Sequence, residues 1–494
     1  MTQNKLPVSF DVTVSLSKGL TAVGTDMTTL AFCTPNVDFL HGERVKTYLT
    51  SDAYNKICTP GDKVWWAGNA FFSKTKRPSK IAVGKIFDAD QPAYLLSSGC
   101  NYEDLVAISN GEFAITVDGT PNDVTSLDFS SVTSLADVAD TINNATSSFA
   151  TCSLHNGKII LKSVTTGANS TISYASPVAE GSGTDISSIL GLTEASGATF
   201  KDGYTHGTIA QELQAIADYA IAAGFFIYGW AIDYDYRDTA DQKEAAKWVD
   251  GRSFRAVGSF VSNNASAYNP DVETNNGVVA TDEGLQAVSY IYDDNSQVYP
   301  DISYLANYLA VNYNNADSTI AGKFKDADGI AAVNFPDIET NVTTLNSRRI
   351  NTITGVVGQT TKFFREGVQS SSKWSTDGWV NVCNFIAELE IEILNVFLRN
   401  NKIAYTTNGQ NLLVAAASKI CNKYKRNGSF ADRLEEDATT DSGYTLVPAC
   451  QIEIQELSAT TAAQRAAHIG TPMTITVNDS GWMGSIAIDV VVTE

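Results

Sequence analysis

The chain has 494 residues and a formal net charge of −21, from 55 acidic residues against 34 lysines and arginines. That balance argues against a nucleic-acid partner, because phosphate binding needs a cationic surface. A hydrophobic fraction of 43% supplies real cores and argues against disorder, and the length suggests about three domains.

From the first residues, Val8, Phe10, Val12, Val14 and Leu16 alternate with Ser9, Asp11, Thr13, Ser15 and Ser17. Strict period two predicts an amphipathic strand, closed by Lys18–Gly19. It either completes its own sheet or pairs with another chain. MTQNKLPVSFDV has no apolar core segment, so no signal peptide is expected. Residues 20–105 predict short strands at Leu30–Cys33 and Lys80–Phe87, a helix at Glu43–Tyr54 and a turn at Thr59–Gly61. Trp65, Trp66, Phe71 and Phe72 form an aromatic patch destined for a core or a subunit contact.

Residues 106–200 are rich in Ser, Thr, Gly and Asn and nearly free of Lys and Arg. Strands are expected at Glu112–Val117, Asp123–Asp128, Thr151–Leu154 and Lys158–Val164, with a helix at Ser134–Asn143 capped near Thr133. Asn156–Gly157 is a hairpin signal. The segment reads as a small β-rich domain inserted into a host domain.

From Gly207, helices alternate with apolar strands. Helices are expected at Thr208–Ala223, Thr239–Asp250, Ile302–Tyr313 and Asp337–Ser347. Strands are expected at Phe225–Ile232, Phe254–Val261, Ala287–Tyr292, Ile330–Val333 and Thr352–Val357. The alternation predicts a mostly parallel α/β sheet. The most apolar window, Ala215–Ile232, contains Asp218, Gly224 and Gly229 and reads as a helix entering a buried strand, not as a membrane span.

The clearest helix is Asp377–Arg399, with Val382, Phe385, Ile386, Leu389, Ile393, Val396 and Phe397 on one face and Asp377 at the N-cap position. Glu388 and Glu392 lie one turn apart on its polar edge. They belong either to the solvated side of a core helix or to a partner-facing edge. A second helix, Asn411–Tyr424, ends in a basic run of Lys419, Lys423, Lys425 and Arg426. Strands follow at Cys450–Glu456 and Met473–Val477. The chain closes on SIAIDVVVT, where Ile486, Ile488, Val490 and Val492 share a face. The fold class is therefore α+β / α/β multidomain, with bare amphipathic strands at both ends.

Chemistry is sparsely signalled. The four histidines (His41, His155, His206, His468) are far apart, and no HExxH, GxSxG, GxGxxG or GxxxxGK[ST] occurs. The seven cysteines form no CxxC pair, so neither a zinc site nor a disulfide framework is expected and they read as buried thiols. Asp233, Asp235 and Asp238 follow an apolar strand, where α/β proteins place ligands. Three carboxylates suit a hard cation, but the spacing lacks the glycine and distal glutamate of an EF-hand loop. A solvated loop capping the next helix is the simpler reading. Asp326 and Asp328 in KDADG read as turn residues. No catalytic, cofactor or metal residue is assigned.

Taken in order, the VSFDVTVSL strand, the α/β middle from Gly207 to Val357, the Trp374–Arg399 stretch and the closing SIAIDVVVT strand resemble contractile phage tail sheath proteins of the myovirus type. The run GEFAITVDGT…SLADVADTINNA…GKIILKSVTTGANSTI…LGLTEASGAT resembles the small β-rich domains of flagellar hook and filament-cap proteins. The resemblance implies arms at 1–20 and 485–494, a discontinuous α/β domain at 21–105 and 201–360, a surface insert at 106–200 and a C-terminal core domain at 361–484. It further implies hexameric rings stacked around a tail tube, contraction without nucleotide or cofactor, and baseplate and terminator partners in a virion. Neighbouring subunits would exchange strands through Val8, Phe10, Val12, Val14, Leu16, Ile486, Ile488, Val490 and Val492. Glu388, Glu392, Lys419 and Lys423 would be candidate tube contacts. A flagellar-type or other surface filament protein, or a metal-dependent enzyme using Asp233, Asp235 and Asp238, are the alternatives.

Overall fold

The computed structural model describes residues 26–295, 297–357, 360–436 and 443–483. It divides into two units. One takes the chain up to Asp38, Val45–Lys85 and the chain from Leu213, and the other takes Phe39–Arg44 and Ile86–Glu212.

The larger unit is built on an eight-stranded sheet. Its spatial order is Lys362–Arg365, Ile350–Gly355, Val288–Tyr292, Val257–Ser262, Gly229–Ile232, Leu30–Thr34, Ile81–Lys85 and Val45–Tyr48. The six central strands are parallel and the two edge strands antiparallel. Five of the six central strands directly follow a helix in the sequence, as the alternation of periods predicts. Strands covered on both faces need continuous apolar runs, and Leu30–Thr34, Gly229–Ile232, Val257–Ser262 and Val288–Tyr292 are buried at every position. The strand order reverses between Leu30–Thr34 and Gly229–Ile232, the switch point of a doubly wound sheet.

Three local expectations fail. Glu43–Tyr54 is not a helix: Val45–Tyr48 is an edge strand and Ser51–Tyr54 a single helical turn capped by Thr50. Ile330–Val333 is not a strand, although the Val333 amide donates to the Ile353 carbonyl. Asp377 is not the cap of the long helix. Thr376–Arg399 starts after Ser375, whose hydroxyl accepts from the Gly378 amide, and Asp377 is buried in the first turn. The aromatic patch lies on the Lys63–Phe72 helix, with Phe71 fully buried and Trp65, Trp66 and Phe72 half-buried.

The smaller unit has its own core, centred on Phe113, Phe129, Val138, Ile142, Leu161 and Leu190. A four-stranded sheet runs Thr199–Lys201, Tyr94–Leu96, Lys158–Ser163, Ala150–His155, and a three-stranded one runs Thr120–Leu127, Gly111–Val117, Thr184–Asp185. The helix Leu135–Thr146 is capped by the Ser134 hydroxyl, which accepts from the Asp137 amide. Two hairpins turn on Asp118–Gly119 and Asn156–Gly157, each with both φ angles positive (52° and 75°, 51° and 74°). A two-residue loop that matches the twist of its strands requires that geometry, and Asp, Asn and Gly tolerate it best.

In the C-terminal part of the larger unit, Thr376–Arg399 packs antiparallel on Thr407–Arg426. Val382, Phe385, Ile386, Leu389 and Ile393 meet Ala416, Ala417, Ile420, Cys421, Tyr424 and Phe430. The stripe leaves the core at its end, for Phe397 is 46% exposed. The helix is tied to the sheet side by a buried Arg255–Glu390 ion pair, by stacking of Trp379 on Phe254, and by a 2.9 Å bond from the Trp379 indole to the Ala256 carbonyl.

Candidate assembly surface

The acidic cluster sits at the sheet's switch point, where a ligand would be sought first, and its groups are spent on the fold. Asp233 is fully buried and accepts from the Thr34 hydroxyl, the Asn36 amide at 3.1 Å and the Asp235 backbone at 3.2 Å. Asp235 pairs with Lys63. Asp238, in the left-handed region at φ 55°, accepts from the Asn263 and Asn264 amides at 2.8 and 2.9 Å and from the Ser262 hydroxyl. Burial raises its pKa above the ordinary carboxylate range while those bonds pull it back. Among the described residues, no group of three or more His, Cys, Asp or Glu is placed to hold a metal ion, and no helix is long and apolar enough to cross a membrane.

The long helical pair presents a different arrangement. Lys423 donates to Glu388 at 2.6 Å and Lys419 to Glu392 at 2.7 Å. The acidic edge of one helix and the basic run of the other therefore meet each other within one subunit. Sequence reading could not find this, because the partners are 35 and 27 residues apart. Lys419 keeps most of its side chain in solvent, 63% exposed, whereas Lys423 is 19% exposed. Lys425 is paired with Asp432, and Arg426 donates to the Asn314 carbonyl. Val8, Phe10, Val12, Val14, Leu16, Ile486, Ile488, Val490 and Val492 lie outside the described residues.

Behind the helices, Cys450–Ile454 and Met473–Val477 form a two-stranded antiparallel sheet with Ile452 opposite Ile475. Cys450, Ile452, Met473, Ile475 and Val477 pack on the helical core, while Gln451, Glu453, Thr474 and Thr476 face solvent. Among the described residues these strands pair only with each other. The Gln455 amide donates to the Pro472 carbonyl and the Asn478 amide to the Ala449 carbonyl. Antiparallel pairs alternate between bonded and non-bonded. The backbone groups of Cys450, Ile452, Ile454, Met473, Ile475 and Val477 therefore point to the two outer edges. A sheet with two such edges can accept further strands.

A buried carboxylate, Asp377, and an exposed one, Asp479, meet at the root of this region. Burial pushes Asp377 up to about 7; the Ser375 hydroxyl pulls it back and Asp479 pushes it further. Asp479, its pKa raised by partial desolvation among its neighbours, lies against Gly378, where an added Cβ would stand 3.1 Å from its carboxylate.

Fold and surface define a class: a multidomain α/β protein with an inserted β-rich unit and a helical pair backed by a small open-edged sheet. Residues 93–204 match the family model of the insert domain of the E217 tail sheath protein gp31, and residues 376–492 match the model of the C-terminal domain of gp31-like tail sheath proteins. The chain thus carries two domains of the phage tail sheath family, as its sequence resemblance implies. No curated protein matches. Among solved structures, the contracted helical sheath of the anti-feeding prophage aligns over 97% of this chain and 99% of its own, at 8% identity and a TM-score of 0.48. The six-fold symmetrised baseplate of the same particle aligns over 59% of this chain and 76% of its own, at 9% identity and a TM-score of 0.38.

Proposed function

We propose that this chain is the sheath subunit of a contractile phage tail. Copies polymerise as stacked hexameric rings around a tail tube and contract to drive the tube through the host envelope. It is a structural, non-enzymatic component of the virion tail, and it works with the tube, baseplate and terminator proteins. The observation that carries this reading is the open-edged sheet of the tail-sheath C-terminal domain, in a chain with period-two apolar sequences at both ends. Val8, Phe10, Val12, Val14 and Leu16 of one neighbour, and Ile486, Ile488, Val490 and Val492 of another, add to the two edges by β-augmentation. Such a contact does not close on itself, so it propagates an array. Strand exchange also keeps subunits linked while their bodies move. Contraction is then passage from a metastable lattice to a more stable one, with no nucleotide consumed.

In this reading the long helical pair faces the tube through Glu388, Glu392, Lys419 and Lys423; Lys419, with 63% of its side chain exposed, is the most accessible of them. The segment 106–200 lies on the outer surface of the assembly.

Deletion of residues 1–17 tests the reading. The truncated chain keeps the circular dichroism and melting behaviour of the full chain, but gives no striated tubes in negative-stain electron microscopy. Tubes formed by the truncated chain would end the strand-exchange account. A full-length chain that stays as single particles even with its tail tube protein would end the sheath account.

A further inference from the structure

The hairpin Arg433–Glu436/Tyr444–Val447 is a ribbon of two strands that pair only with each other among the described residues. Leu434 stands directly opposite Leu446 and Glu436 opposite Tyr444, so these four share one face. That face is open: Leu434 is 68%, Leu446 63% and Tyr444 51% exposed. A lone two-stranded ribbon is marginal in water unless it packs on something, so an uncovered leucine pair calls for a partner.

The same unit carries a second uncovered apolar patch at the tip of the long helix. Phe397 is 46% and Leu398 73% exposed, with Leu412 at 42% and Ile469 at 54%. The Tyr405 hydroxyl donates to the Ile469 carbonyl at 3.0 Å, which joins Ile469 to this end. The two patches are well separated. The Lys423–Glu388 and Lys419–Glu392 pairs fix the helix register, so Leu412 lies level with the tip and the end of Thr407–Arg426 lies level with Phe385. Asp432, at the base of the hairpin, pairs with Lys425 and accepts from the Ala449 amide, so the ribbon leaves from that far end. At 1.5 Å per residue the separation along the axis is roughly 20 Å.

The charges are complementary. Arg399 and Lys402 flank the tip, both exposed and without an ion pair among the described residues. On the ribbon, Glu435 is held by Arg433, which leaves Glu436, on the leucine face, as its net charge. Two complementary patches at opposite ends of one body make a head-to-tail contact, which generates arrays rather than closed dimers.

We infer that the Leu434/Leu446 face of one copy seats on the Phe397/Leu398 tip of a second copy, with Glu436 meeting Arg399 and Lys402. This rests on the sheath reading and adds to it a subunit contact made by the subunit body, independent of the terminal arms.

Full-length Leu434→Cys and Leu398→Cys variants are mixed, assembled, imaged and exposed to copper-phenanthroline, which oxidises adjacent thiols to a disulfide as its copper is reduced. Tubes that give a dimer band only from the mixture, and not from either variant alone or from the parent chain, support the contact. Glu436→Lys is then expected to raise the critical concentration for assembly about tenfold, with recovery on pairing with Arg399→Glu/Lys402→Glu. Tubes without the mixed dimer overturn this contact and leave the sheath reading standing. A cross-link from Leu434→Cys to tail tube protein instead also overturns it. Absence of tubes from the parent chain with its tube protein removes both.

Discussion

Asp377 is 7% exposed and its carboxyl is pushed up to about 7 by burial, against the pull of Ser375. Asp301, also buried, is pushed up to about 7 against the pull of Arg237, and Asp293 to about 6. Between the ordinary aspartate range near 4 and these raised values, the folded chain holds protons that the unfolded chain has released. Their stabilisation is therefore complete in acid and is lost as pH rises toward 7, by about 1.4 kcal/mol per pH unit per group. Asp377→Asn should flatten the fall of stability between pH 4 and 7 and raise the melting temperature at pH 8. Denaturation curves at several pH values decide this, and an unchanged slope would mean that Asp377 is ionised throughout. Arg255 and Glu390 make the opposite case, a buried pair at 7% and 2% exposure. Removing one partner strands the other charge, so Arg255→Met should cost about 3–5 kcal/mol in urea unfolding. A loss under about 1 kcal/mol would show that water reaches Glu390.

Elements whose signal is local were legible in the sequence. The long helix announced itself through apolar residues spaced at 3.6, and the central strands through runs such as Phe225–Ile232 and Ala287–Tyr292. The β-turn residues of the inserted segment named their own hairpins. Elements whose identity depends on a distant partner were not legible. Val45–Tyr48 has a helix-compatible spacing, and only pairing with Ile81–Lys85 makes it a strand. Lys362–Arg365 is four residues long and exists as the antiparallel edge of Ile350–Gly355. The Ser375 cap was hidden by a stronger-looking Asp377 two residues on. The outward edges of Cys450–Ile454 and Met473–Val477 follow from their register, which no composition reveals. The ion pairs between the helices are likewise a product of packing, and they set an element-scale prediction. Lys423→Glu opposes Glu388 with a like charge, while the swap Lys423→Glu/Glu388→Lys restores an attraction. A double-mutant cycle should give a coupling of about 0.5–1 kcal/mol, since both groups are partly solvated. Coupling near zero would leave these charges available to a partner in place of each other.

For the whole molecule the deciding quantity is charge. Each copy carries −21, and a polymer must bring those charges together. Self-repulsion of this size keeps free subunits apart, whereas the contacts proposed between them are apolar strands and a leucine-on-phenylalanine seat. The range of the repulsion is set by salt, about 20–30 Å near 0.01–0.02 M and about 8 Å at 0.15 M. Polymerisation followed by light scattering should therefore quicken, and its critical concentration fall, as sodium chloride rises from about 20 to about 200 mM. Contacts dominated by ion pairs such as Glu436 with Arg399 would respond in the opposite direction, because screening weakens attraction as well as repulsion. The sign of the salt dependence thus separates an array held by buried backbone and apolar surface from one held by charge. If assembly slows with salt, the apolar contacts are secondary, and Glu436→Lys should then abolish assembly rather than weaken it.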